Sequence, residues 1–151
     1  MRKAQIALLV LALAALGFVR EFFFAHINLR YYQVLYEPEE TLRSEFIAFL
    51  DPLSGIQIYW FKWLVTIAFA FLFYAIGAKA LSLIFKRNQW KIFGSVYLAM
   101  FVAAIIPYVA IWILGDPEKG YAVARFFLGL AQSPFPFLFM IPALYLRKAE
   151  N

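Results

Sequence analysis

The chain has no cysteine and a single histidine among its 151 residues. Disulfides, thiolate metal sites and cysteine nucleophiles are therefore excluded. The one histidine, His26, cannot hold a metal unless carboxylates converge on it, and no acid lies at a ligand-like spacing from it. A structural hydrogen bond is the plainer role. Charge is scarce too: 15% of the residues are Asp, Glu, Lys or Arg, against 65% hydrophobic. A soluble domain carries about 25% charged residues, so the bilayer is the solvent in which this sequence has to be read.

Roughly 20 apolar residues cross the hydrocarbon layer, and runs of that order occur four times. Ile92 to Leu114 and Phe126 to Leu146 contain no charge, and Ala122 to Arg125 forms a first turn for the latter. A third run, Ile58 to Ile84, has Lys62 and Lys79 towards its ends, from where both can snorkel to an interface. The first, Ile6 to Val19, is short, and Arg20 and Glu21 interrupt it before apolar sequence resumes at Phe22. Arg2 and Lys3 with the small residues of Ala12 to Gly17 also fit a signal peptide. Cleavage there would leave a mature chain starting near Phe18 with a Phe-Val-Arg-Glu-Phe-Phe-Phe stretch, which suits the continuing end of a helix better. The expectation is an all-α, polytopic membrane protein with one integral membrane domain: an antiparallel four-helix transmembrane bundle with spans at about 4–24, 58–84, 92–114 and 122–146. Gly17, Gly77, Gly94 and Gly129 offer places for close helix approach.

Basic residues in the connections set the orientation. With both termini cytoplasmic, that face holds Arg2, Lys3, Lys86, Arg87, Lys91, Arg147 and Lys148, with Glu150 as its acid. The other face takes Glu37, Glu39, Glu40, Glu45, Asp51, Asp116 and Glu118, against Arg30, Arg43 and Lys119 in its loops. The expected location is the bacterial cytoplasmic (inner) membrane, with membrane lipids as immediate partners. The formal net charge of +5 is thus an orientation signal. A nucleic-acid patch would need clustered basic residues among solvent-facing aromatics, so nucleic acid is not expected as a partner.

The first outer loop, about 28–54, has a helical pattern in its second half. Pro38 suits a first turn, Leu42, Phe46, Phe49 and Leu50 recur on one face, and Asp51-Pro52 stops the helix. An amphipathic helix along the membrane surface is expected there, capping the bundle. For Arg30 to Tyr36 the periodicity leaves extended and helical structure open. Tyr59, Trp60 and Trp63 at one end of a span, with Phe85 and Trp90 at the other, read as aromatic belts.

Two polar features stand out. Arg20 and Glu21 closing span one, Lys62 opening span two and Arg125 opening span four fall at similar depth, where unpaired charge is costly. Glu21 paired with Lys62 or Arg125 would be a structural lock. Arg20, Lys62 and Arg125 acting together would instead make an anion or headgroup site. The second feature is Gln132-Ser133-Pro134-Phe135-Pro136 inside span four. Each proline removes a backbone donor and disfavours helix before it, so the span breaks there, and Pro142 adds a further bend. Such a break lines sites in transporters, and it also occurs as a packing kink whose free carbonyls Gln132 and Ser133 would satisfy.

Arg20-Glu21, Ala124-Arg125-Phe126-Phe127-Leu128 and the closing Pro136-Phe137-Leu138-Phe139-Met140-Ile141-Pro142-Ala143-Leu144-Tyr145 resemble the small four-span bacterial membrane proteins encoded with exosortases, in particular the exosortase-F-associated membrane proteins. The resemblance covers about a third of the chain. The acidic outer loop is longer here, and Asp51-Pro52 lies further along than in that pattern. The resemblance implies an accessory role in cell-envelope protein sorting rather than peptidase activity.

No nucleophile, base and metal combination is present, since Ser82, Ser133 and His26 share no catalytic spacing. No enzyme and no cofactor are expected. The first expectation is a non-catalytic accessory or interaction subunit of a cell-envelope assembly, docked on a larger membrane protein. The alternative is a small homo-oligomeric transporter, or a protein binding an anionic lipid or solute.

Overall fold

A computed structural model describes residues 2–36, 45–115 and 117–149. In chain order these form α1 (Arg2–Tyr36), a 3-10 turn (Glu45–Leu50), α2 (Gly55–Phe85), α3 (Trp90–Ile113), α4 (Pro117–Ala131) and α5 (Phe135–Ala149), with no strand among the described residues. α1, α2 and α3 are each long and apolar enough to cross a membrane, and α4 with α5 count as a fourth crossing if the bent pair is one span. These lengths and compositions mark a membrane protein.

α1 is longer than the expected 4–24. At 1.5 Å per residue its 35 residues reach about 52 Å, well beyond the roughly 30 Å of hydrocarbon. The sequence holds no glycine or proline between Gly17 and Pro38, so nothing breaks the helix, and its far end is clamped by packing. Ile27 meets Ile58 and Leu50 in a small fully buried cluster, and Leu35 Cδ2 sits 3.2 Å from where a Cβ on Gly55 would lie. The Arg30-to-Tyr36 stretch is accordingly helical.

The loop helix differs from expectation. Pro38 to Arg43 lie outside the described residues, and Glu45–Leu50 is a 3-10 turn rather than part of an amphipathic α-helix. Leu50 is buried, whereas Phe49 remains exposed and touches the Phe61 ring at a centroid distance of 5.7 Å. Arg30 closes the turn by donating to the Asp51 carbonyl at 3.1 Å and facing its carboxylate at 3.4 Å.

α2 starts from a capping box in which Ser54 and Gln57 exchange side-chain and backbone hydrogen bonds, satisfying two of the orphan donors of a helix start. It ends at Lys86, whose φ of 56° is left-handed. Arg2 then donates from Nε to the Leu83 carbonyl at 2.8 Å and from a terminal nitrogen to that of Ile84 at 3.2 Å. A cation at the end of α2 opposes the negative pole of the helix. It also fixes the antiparallel register of α1 against α2, which Phe24 on Phe69 at 6.2 Å continues.

The core is aromatic. A Cβ on Gly77 would lie 2.7 Å from the Phe93 ring, which is itself wedged against Tyr74 and Tyr97. Gly94 likewise accommodates the Tyr74 hydroxyl at 3.2 Å. Gly17 differs from expectation, with no atom within 4 Å of a Cβ there, because much of the α1 surface around it is uncovered, with Phe18 and Val19 exposed. Only 6% of its apolar window is buried, against 39% for α2. α4 lies chiefly on α3, and α5 sends Phe137, Met140 and Leu144 into the same core as Phe73 and Phe93.

Candidate functional site

α4 and α5 meet at 64°, and the break falls at 132–134, within the expected segment. Pro134 cannot donate a hydrogen bond, and its carbonyl accepts the Leu138 N–H at 3.1 Å to start α5. The carbonyls left at the end of α4 are taken up locally. Gln132 Nε2 donates to Leu128 at 2.9 Å, Ser133 Oγ donates to Leu130 at 2.7 Å, and Ser133 Oγ also accepts the Phe135 N–H at 3.3 Å. Pro136 falls in the first turn of α5, where a missing N–H is harmless. Pro142 lies inside α5, which continues past it as one helix.

Beside this break three helices converge on a cavity of about 280 Å³. α1 contributes Arg20, Glu21, Phe24, Ala25 and Asn28; α2 contributes Tyr59, Lys62, Trp63 and Thr66; α4 contributes Tyr121, Arg125, Leu128, Gly129, and Gln132 follows at its end. Each set is one helical face, its residues or adjacent pairs recurring every three or four positions. Four of the residues singled out in the sequence as ionisable, Arg20, Glu21, Lys62 and Arg125, thus line one space, together with Gln132 from the break. Ser133, Pro134 and Pro136 shape the break without lining the cavity.

The electrostatics are lopsided. Lys62 and Arg125 are near enough to repel one another, and Lys62 Nζ lies over the Tyr31 ring at 5.1 Å. Arg20 is mostly buried, with its guanidinium carbon 5.2 Å above the Phe24 ring. Gly129 lies beside it, a Cβ there standing 4.0 Å from an Arg20 nitrogen, an ordinary contact. Glu21 corrects an expectation. It pairs with Arg20, its neighbour in sequence, and among the described residues neither Lys62 nor Arg125 has an ion pair with it. The Glu21 side chain is 71% exposed, so it sits at the rim, and its short stem reaches along α1 rather than across to α2 or α4.

Among the described residues, three cations share the cavity with one acid, Glu21, which pairs with one of them, Arg20, and this leaves net positive charge in a partly enclosed space. Cation–π contacts shield some of that charge and neutralise none of it. Tyr59 and Trp63, expected as part of an interfacial belt, stand in the cavity wall, while Trp60 is exposed. Asn28, Thr66 and Tyr121 were not singled out in the sequence. Stepping four residues from Lys62 and from Arg125 along a helix would have found Thr66 and Tyr121, and two such steps from Arg20 reach Asn28. His26 lies on α1, with Nδ1 donating to the Phe22 carbonyl at 2.7 Å.

Comparison of the chain with protein-family models, with curated proteins and with solved structures returns no match.

Proposed function

We propose that this is a non-catalytic protein of the bacterial inner membrane, with both termini cytoplasmic, that binds an anionic lipid headgroup or a small anion on its outer side, in the cavity beside the span-four break. One observation carries the reading: Arg20, Lys62 and Arg125 converge from three helices on a space where the one acid among the described residues, Glu21, is exposed and pairs with Arg20. Like charges gathered at membrane depth are unfavourable unless something neutralises or hydrates them, and an anion with several oxygens neutralises Lys62 and Arg125 while also accepting from Arg20. The volume of about 280 Å³ lies just below the roughly 300–1,000 Å³ typical of ligand pockets, which suits a headgroup or a small solute.

A second reading, the accessory subunit docked on a larger membrane protein or on further copies of itself, is supported by the small buried share of α1 and by the resemblance to exosortase-associated proteins. The two readings are compatible, because α1 lines the cavity and packs on α2 while Leu8, Leu11 and Phe18 remain exposed on it.

Gentle purification at native expression level, followed by native mass spectrometry, tests the proposal. An anionic lipid or solute retained by the wild type and lost from Arg125→Ala supports it. Equal retention by both proteins, or retention of neutral lipid alone, refutes it. A stoichiometric larger protein in the same spectra would support the second reading.

A further inference from the structure

A second cavity, of about 570 Å³, lies where the turn between α2 and α3 meets the close of α5. It shares no lining residue with the first. Along α2, Phe85 in its wall stands about 34 Å from Lys62 at 1.5 Å per residue, so the two cavities are separated by roughly the thickness of the hydrocarbon layer. Arg87 comes to this second cavity from the turn and Arg147 from the last turn of α5, and both are exposed. Phe85, Ile92 and Leu144 form its apolar wall.

Both arginines stand on fixed backbone. Ser82 Oγ donates to the Ala78 carbonyl at 2.7 Å and accepts the Gln89 N–H at 3.0 Å, and Asn88 Oδ1 accepts the Trp90 N–H at 3.0 Å. These bonds pin the turn that carries Arg87. α5 is held by Leu144, buried in the core, and by Tyr145, whose ring meets that of Phe85 at 5.0 Å. Arg147 follows Leu144 by three residues and so falls on the same face of the helix.

Guanidinium groups bind phosphate through paired hydrogen bonds, and among the described residues no acid lines this cavity to compete for them. A soluble phosphate would use the arginines alone. A phospholipid uses the arginines and the apolar wall together, and basic pockets between membrane helices on the cytoplasmic side are places where anionic headgroups bind. We propose that this cavity is a second, separate lipid site, for an anionic phospholipid of the leaflet on the side of Arg2 and Arg147, with its phosphate on Arg87 and Arg147 and its chains starting along Phe85, Ile92 and Leu144. The inference does not depend on the anion site of Arg20, Lys62 and Arg125.

The test uses the full-length protein in nanodiscs of phosphatidylcholine doped with phosphatidylglycerol, with bound lipid counted by native mass spectrometry. The wild type should retain phosphatidylglycerol in preference to phosphatidylcholine, and Arg87→Gln combined with Arg147→Gln should weaken that retention about ten- to thirtyfold, the weight of two basic residues near the surface. Lys86 and Lys91 are exposed and lie outside the cavity wall, so Lys86→Gln combined with Lys91→Gln removes the same charge and should change retention by about twofold at most. The contrast should persist in an Arg125→Gln background, which sets the outer site aside. Equal weakening by the two pairs would mean attraction to the surface charge as a whole, and unchanged retention in the arginine pair would mean that nothing binds there; either overturns the inference. Glycerol phosphate, added as the soluble source of the same chemistry, should leave the lipid in place, and displacement of the lipid by it overturns the lipid assignment. If the arginine double variant fails to fold, Arg87→Gln and Arg147→Gln singly carry the comparison, each with a loss of about fivefold.

Discussion

Gln132 donates its side-chain amide to the Leu128 carbonyl across 2.9 Å. The residue that closes α4 at the proline break is therefore also a buried member of the cationic cavity. One local hydrogen bond does two things: it satisfies the helix end and fixes which face of the amide is left over.

Glu21 is the one acid among the described residues of the cavity wall, and removing its charge should strengthen anion binding. Glu21→Gln is expected to tighten retention of an anionic lipid by up to about fivefold, the scale of an exposed ion pair. The gain should shrink as salt rises, because exposed charges are screened. Binding measured in nanodiscs at low and high salt checks it.

Gly77 gives way to the Phe93 ring, and Tyr74 and Tyr97 leave that ring nowhere to move. In lipid, helices associate through close packing rather than through burial of apolar surface, so this contact bears heavily on stability. Gly77→Ala should destabilise by about 1–3 kcal/mol through overpacking, seen as a lower thermal midpoint in detergent.

Ser54 accepts the Gln57 N–H and anchors the capping box at the start of α2. Ser54→Ala should cost about 1 kcal/mol, whereas Ser54→Asp should hold the wild-type midpoint because the cap is kept. Thermal melts of the two variants side by side separate loss of the cap from loss of side-chain volume.

Lys86 holds a left-handed conformation, with φ 56° and ψ 26°, at the end of α2. Glycine takes that conformation freely, and the strain on a lysine there is about 1 kcal/mol before the extra chain entropy of glycine is deducted. Lys86→Gly should raise the midpoint slightly, and Lys86→Val should lower it.

How far these features could be read in the sequence depends on the range of the force involved. The three long apolar helices and the break at 132–136 were legible, because hydrophobic length and the missing proline donor are local properties. The extent of α1 beyond Phe24 was not, because Ile27 and Leu35 are held by Ile58 and Gly55, which come later in the chain. The loop pattern at Phe46, Phe49 and Leu50 misled for the same reason: Leu50 turns into the Ile27 and Ile58 cluster while Phe49 stays out. For the site, similar depth was enough to group Arg20, Lys62 and Arg125. Depth says nothing of rotation about a helix axis, and that rotation decided that Glu21 would pair with Arg20 rather than with a neighbouring helix.

The central claim is that Arg20, Lys62 and Arg125 share one anion. The most direct measurement is an experimental structure of the protein in nanodiscs containing phosphatidylglycerol. The expected result is phosphate density within hydrogen-bonding distance of Arg125 and at least one of Arg20 and Lys62. A cavity holding only water, or Glu21 swung across to pair with Arg125, would contradict it.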